Sequence, residues 1–270
     1  MSLLEFEFMQ RALVAAILVG MAAPAIGTFL VQRRLALMGD GIGHIALTGV
    51  ALGFLLGTAP VLTAIVVAIA GAITIELIRE RGQTSGDVAL ALLFYGGIAG
   101  GVMLIGLSPG GSSSTLLGYL FGSLSSVRPV DLAVIAGLSV GIVAVVVVFG
   151  REMYAVCMDE EVAKVSGLPV RFLNILVAVT AAVTVTVAMR VVGLLLVSAL
   201  MVVPVATAQQ LTTSFRSTLV GACLIGILAS VGGLVVAFYA DVAPGASTVV
   251  LALAGFLVAA GVGTAVRRSA

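Results

Sequence analysis

Residues 131–149 read DLAVIAGLSVGIVAVVVVF, and the next charge after Asp131 is Arg151. A helix of this length rises about 28 Å at 1.5 Å per residue. The hydrocarbon core of a bilayer is about 30 Å thick, so this stretch is long and apolar enough to cross it.

The same rule extends along the chain. Further spans are expected at about 8–30, 35–56, 60–78, 88–107, 172–189, 191–208, 218–238 and 247–266. Apolar residues make up 61% of the 270 and charged residues 9%, against about 45–50% and 25% in an ordinary soluble domain. Too few polar side chains remain to cover a water-facing surface, so the main solvent is lipid. The expected fold is all-α: a polytopic transmembrane bundle of about eight or nine spans, forming one domain over 1–270. Gly49, Gly53 and Gly57 form a small-residue stripe suited to close helix packing. The segment 108–130 opens with Ser108-Pro109-Gly110-Gly111 and is too polar to span. It is expected to be a loop followed by a short re-entrant or interfacial helix over about 115–126.

The basic residues orient the bundle. With these spans, Arg33, Arg34, Arg79, Arg81, Arg151, Lys164, Arg171, Arg216, Arg267 and Arg268 fall on one side; Arg11, Arg128 and Arg190 fall on the other. The richer side is expected to be cytoplasmic, which places the N-terminus and the loop 239–247 outside. Glu5 and Glu7 stand where a cleaved signal peptide would carry basic residues, so the first span is expected to stay as an anchor.

Several chemistries are excluded. The only lysine is Lys164, followed by Val165, so there is no P-loop. The only histidine is His44, so no one-chain His-x-x-His or His-Glu-x-x-His site exists. Cys157 and Cys223 are too few for a disulfide framework. A net charge of +1 gives no electrostatic case for nucleic acid. A conduit fits better than a membrane enzyme.

Asp40 and His44 lie inside the second span, at i and i+4, on one helix face with Thr48 beyond them. At 1.5 Å per residue His44 is expected about 15 Å beyond Arg34, near mid-membrane. An ionisable group at that depth costs about 2.5–3.5 kcal/mol or more unless paired or hydrated. Imidazole and carboxylate suit zinc or manganese, and a two-fold homodimer would complete a four-ligand shell. Two other readings remain open: a structural pair, hydrogen-bonded or capping a helix interrupted near Gly41 and Gly43, and a proton relay.

Asp159-Glu160-Glu161-Val162-Ala163-Lys164-Val165-Ser166-Gly167-Leu168-Pro169 reads as a short cytoplasmic helix. Its acids suit the positive end of the helix dipole, while Gly167 and Pro169 end it. It is either a lever that docks a partner or an ordinary loop helix.

At these residues the chain resembles the zinc/manganese permeases of ATP-binding-cassette importers, whose fold is similar to that of cobalamin and ferric-siderophore permeases. The resemblance rests on Arg33-Arg34 through Asp40 and His44 to Ala51, on Tyr119 to Leu124, and on Ala163-x-x-x-Gly167-Leu168-Pro169. Val192-Gly193 through Ser198 to Ala208, and Pro244-Gly245-Ala246-Ser247, extend it. Ser123 departs from it, where some relatives carry an acid.

The resemblance implies a multi-pass permease of the plasma membrane with no resident cofactor and no ATPase site. It implies a homodimer, cytoplasmic ATPase subunits and an external metal-binding protein. Asp40 and His44 match the family's Asp-x-x-x-His metal ligands. Asp159, Glu160, Val162, Ala163, Val165, Gly167 and Leu168 match the ATPase-coupling helix. The cargo is read as a divalent metal, zinc ahead of manganese. The rivals are an ion- or proton-coupled secondary transporter using the Asp/His pair, and a membrane scaffold that transports nothing.

Overall fold

The computed structural model describes residues 5–80, 86–108, 118–122, 129–189 and 192–269. Among these residues there are helices and no strands. In chain order they are α1 (Glu7–Gln32), α2 (Met38–Leu55), α3 (Pro60–Glu80), α4 (Gly86–Leu107), α5 (Pro129–Met158), α6 (Glu160–Val165), α7 (Val170–Ala188), α8 (Leu194–Leu211), α9 (Phe215–Ala240) and α10 (Pro244–Ser269). Eight of them are long and apolar enough to cross a bilayer among the described residues; α8, at 18 residues, matches α2 in length. All nine expected spans are therefore helices.

The helices divide into an inner and an outer set. Within their most apolar stretches, 72% of the residues of α1 and α2 and 67% of those of α7 are buried, against 17% in α4 and 22% in α5. α1 packs on α5, α7, α8 and α9, while α2 packs on α3, α4, α7 and α8. The outer helices turn Val66, Leu92, Met103, Val147, Leu228 and Leu257 outward, as a lipid-facing surface requires.

Glycine sets the closest helix approaches. A Cβ on Gly49 would lie 2.6 Å from the Ala64 Cα, and one on Gly53 2.6 Å from the Pro60 Cα. The small-residue stripe thus seats α3 against α2, and its third member, Gly57, turns the chain at φ 63°. A Cβ on Gly97 of α4 would lie 2.6 Å from the His44 carbonyl carbon, so α4 rides directly on the backbone of the candidate metal ligand.

The basic side chains gather as the charge count anticipates. Arg33 lies 3.7 Å from Glu160, and Arg171 lies 3.1 Å from Glu80. Arg34 shares one cavity with Arg79, and Arg151 shares another with Arg216. Arg11 sits at the opposite end of α1, 2.6 Å from Glu7. The positive-inside rule favours a cytoplasmic position for the richer end. Arg81, Arg128 and Arg190 lie outside the described residues.

Of the polar segment 108–130, residues 109–117 and 123–128 also lie outside the described residues. Residues 118–121 form a single helical turn, with Tyr119 edge-on to Phe54 at 6.1 Å. The backbone at Leu120–Gly122 abuts Gly193, the N-cap of α8.

Candidate functional site

α2 does not continue from Arg34. The chain turns there, with Arg34 at φ 59°, and the helix begins at Met38. Asp40 therefore lies in the first turn. His44 sits about 9 Å along the axis from Met38 at 1.5 Å per residue, and the residues from Arg34 to Leu37 form a turn rather than a helix. Four glycines, Gly39, Gly41, Gly43 and Gly49, thin α2 around the pair and let neighbouring helices close in.

The structure brings Asp40 and His44 together. His44 Nε2 lies 3.8 Å from Asp40 Oδ1, too long for a direct hydrogen bond. The His44 side chain is 7% exposed and the Asp40 side chain 32%. Asp40 opens into a cavity of about 320 Å³ lined by Leu37, Leu90, Ala91, Phe94 and Tyr95. Behind it, the His44 ring meets Phe94 edge-on at 4.3 Å. His44 Nδ1 is buried and has no hydrogen-bond partner among the described residues. Thr48, on the same face, donates instead to the Gly97 carbonyl at 2.7 Å and ties α2 to α4.

Ser198 of α8 donates to Asp40 Oδ1 at 3.2 Å. Sequence reasoning placed Ser198 only within a longer resembling stretch. The available signal was a single serine in an otherwise apolar stretch, five residues into α8. Among the described residues no group of three or more His, Cys, Asp or Glu side chains could hold a metal. Among those residues one chain offers the pair Asp40 and His44 and no third ligand of those types.

The second candidate region is α6. Asp159 caps it, its Oδ1 accepting from the Glu161 and Val162 amides at 2.9 and 3.0 Å. At the other end Leu168 N donates to Ala163 O at 3.1 Å and Gly167 N to Lys164 O at 3.0 Å, with Gly167 at φ 81°. This is a Schellman stop, and its left-handed residue favours glycine. Ala163 is buried at 3%, while Val162 and Val165 are 60% and 89% exposed. Ala163 thus holds α6 to its own subunit, and Val162 and Val165 are the residues a partner could reach.

A charged cluster that sequence reasoning missed anchors α6. Arg33, its side chain 7% exposed, lies 3.7 Å from Glu160, which also lies 3.3 Å from Lys164. Glu76, 3% exposed, pairs with Arg79 at 2.9 Å. Burial and the nearby Arg79 hold Arg33 below the ordinary arginine value, and Glu76 and Glu160 oppose that shift. The available signal was Glu76 itself, the one acid within the expected third span.

Comparison with known proteins places the chain among transport proteins. A profile of the ABC 3 transport family matches residues 5–263. The manganese transport system membrane protein MntC of Halalkalibacterium halodurans is 32% identical over 95% of this chain and 88% of its own length. The high-affinity zinc uptake system membrane protein ZnuB of Haemophilus influenzae is 28% identical over 91% of this chain and 94% of its own. A solved structure of PsaBC from Streptococcus pneumoniae in complex with Fab superposes with a TM-score of 0.86. Its identity is 35%, and the match covers 95% of this chain and 92% of that one.

Proposed function

The chain belongs to the ABC 3 transport family, and from that premise we propose that it is the permease of an ATP-driven importer of manganese or zinc. It is a multi-pass protein of the plasma membrane, and the whole of 1–270 acts as one permease domain. Two copies pair, so that two Asp40 and two His44 side chains surround one ion. ATP hydrolysis lies with a separate cytoplasmic subunit, since this sequence has no P-loop. A metal-binding protein outside the cell delivers the cargo.

The observation that carries this reading is the Asp40/His44 pair itself. A carboxylate opens onto a cavity, and beside it a buried imidazole has an unpartnered nitrogen. A divalent cation would supply what both groups lack. Manganese stands ahead of zinc here, reversing the order drawn from sequence. The relative named for manganese is 32% identical and the one named for zinc 28%. Carboxylates that bind through both oxygens would also bring two Asp/His pairs to six donors, which suits manganese better than four-coordinate zinc.

α6 is the coupling helix. Closure of the ATPase subunits moves Val162 and Val165. Glu160 and Arg33 pass that motion to the turn where α2 begins. Alternating access then exposes the ion to one side at a time.

The test is element-resolved uptake in a strain lacking this gene, complemented with the wild type, Asp40→Ala or His44→Ala. Only the wild type restores manganese uptake, and only when the ATPase subunit is present. Uptake that persisted without any ATPase would support the secondary-transporter reading instead.

A further inference from the structure

At the cytoplasmic end of α1, helices α5 and α9 stand apart and leave a lateral crevice of about 520 Å³. Its floor is aromatic. Phe29 is fully buried and meets Phe215 edge-on at 5.2 Å, and Tyr154 lies 4.4 Å from Phe215. Arg151 of α5 and Arg216 in the first turn of α9 line its upper part, while Val146, Val147 and Leu219 line its deeper part. Among the described residues no acid lines it. Neither guanidinium has an ionic partner among the described residues, whereas Arg11, Arg33, Arg79 and Arg171 are all paired.

Depth gives the crevice its meaning. Val147 lies one helical turn, about 6 Å, further into the membrane than Arg151, and it is 76% exposed on an outer helix. The crevice therefore runs from a doubly cationic rim at headgroup level to an apolar wall at acyl level. A soluble protein docked on the cytoplasmic face would meet the rim and not the wall. A phospholipid of the inner leaflet meets both.

We propose that this crevice binds an anionic phospholipid, with its phosphate between Arg151 and Arg216 and one acyl chain along Val147 and Leu219. Guanidinium forks match phosphate oxygens in geometry and charge, and basic recesses between membrane helices on the cytoplasmic side suit anionic headgroups. Ser214 and Ser217 fix the position of Arg216 by capping α9 reciprocally. The proposal depends on where α5 and α9 sit in the membrane, and not on the identity of the cargo.

The test is thermal stability and lipid retention of the purified full chain. Detergent samples receive phosphatidylglycerol, phosphatidylcholine or inorganic phosphate, and retained lipid is read by native mass spectrometry. The wild type should retain phosphatidylglycerol about tenfold better than phosphatidylcholine and should gain stability from it, with no gain from inorganic phosphate. The double variant Arg151→Gln, Arg216→Gln should lose that preference, and Arg171→Gln, paired elsewhere on the same face, should keep it. Leu219→Trp fills the apolar wall without touching either arginine, so it should also lose retention and serves if the double variant does not fold. Equal retention of both lipids by the wild type would overturn the proposal, as would an undiminished preference in the double and Leu219 variants. Stabilisation by phosphate equal to that by phosphatidylglycerol would make it a free-anion site. Loss of ATPase capture with an intact lipid preference would assign the crevice to the partner protein.

Discussion

Ser198 of α8 donates a hydrogen bond to the Asp40 carboxylate of α2 across 3.2 Å, and this bond fixes which way the candidate ligand faces. A hydrogen bond to a charged group is worth about 1.5–3 kcal/mol when buried, and less here because the Asp40 side chain is 32% exposed. Ser198→Ala should therefore raise the KM for metal uptake roughly fivefold, about 1 kcal/mol. The protein should still insert and fold. An unchanged KM would mean that Asp40 is held by other contacts.

Gly97 and its neighbour Gly96 make a matched pair. A Cβ at Gly97 would strike the His44 backbone, whereas one at Gly96 would meet nothing within 4 Å. Gly97→Ala should force α4 off α2, at a cost of about 1–3 kcal/mol, and abolish uptake. Gly96→Ala should be silent. Thermal unfolding in detergent beside the uptake assay checks both.

Arg33 and Glu160 should respond unequally. Arg33→Gln removes a buried charge that pairs with Glu160 and is favoured electrostatically by Glu76, and should cost about 3 kcal/mol. Glu160→Gln removes a partner whose side chain is 41% exposed and should cost less than about 1 kcal/mol. Denaturation of the two variants under identical conditions measures the difference. Equal losses would contradict the burial argument.

The surface of α6 separates docking from folding. Val165→Asp changes a side chain that is 89% exposed, so it should weaken ATPase capture and uptake while leaving thermal stability unchanged. Gly167→Trp places a bulky residue at φ 81° and undoes the Schellman stop, so docking, uptake and stability should fall together. Ala163→Trp should destabilise the chain itself, because Ala163 is buried. A pull-down of the ATPase, paired with thermal unfolding, distinguishes the three.

The helices were legible because each is an apolar run of membrane length, but their ends were not. α5 continues through Arg151 and Glu152 to Met158, because charges outside lipid cost a helix nothing. α2 starts later than its apolar pattern, because Arg34 takes a left-handed turn that nothing local in the sequence marks. Asp40 and His44 could be paired from i, i+4 spacing alone. Ser198 is 158 residues distant in sequence from Asp40, and only packing of α8 on α2 reveals that contact. The Arg33–Glu160 contact likewise joins segments that no periodicity relates.

The central claim is that Asp40 and His44 from two chains share one ion. Equilibrium manganese binding to the purified permease, with stoichiometry counted per chain, tests it most directly. The account predicts one ion per two chains, with binding lost in both Asp40→Ala and His44→Ala while the assembly size stays that of the wild type. One ion per chain, or binding that survives both substitutions, would contradict it.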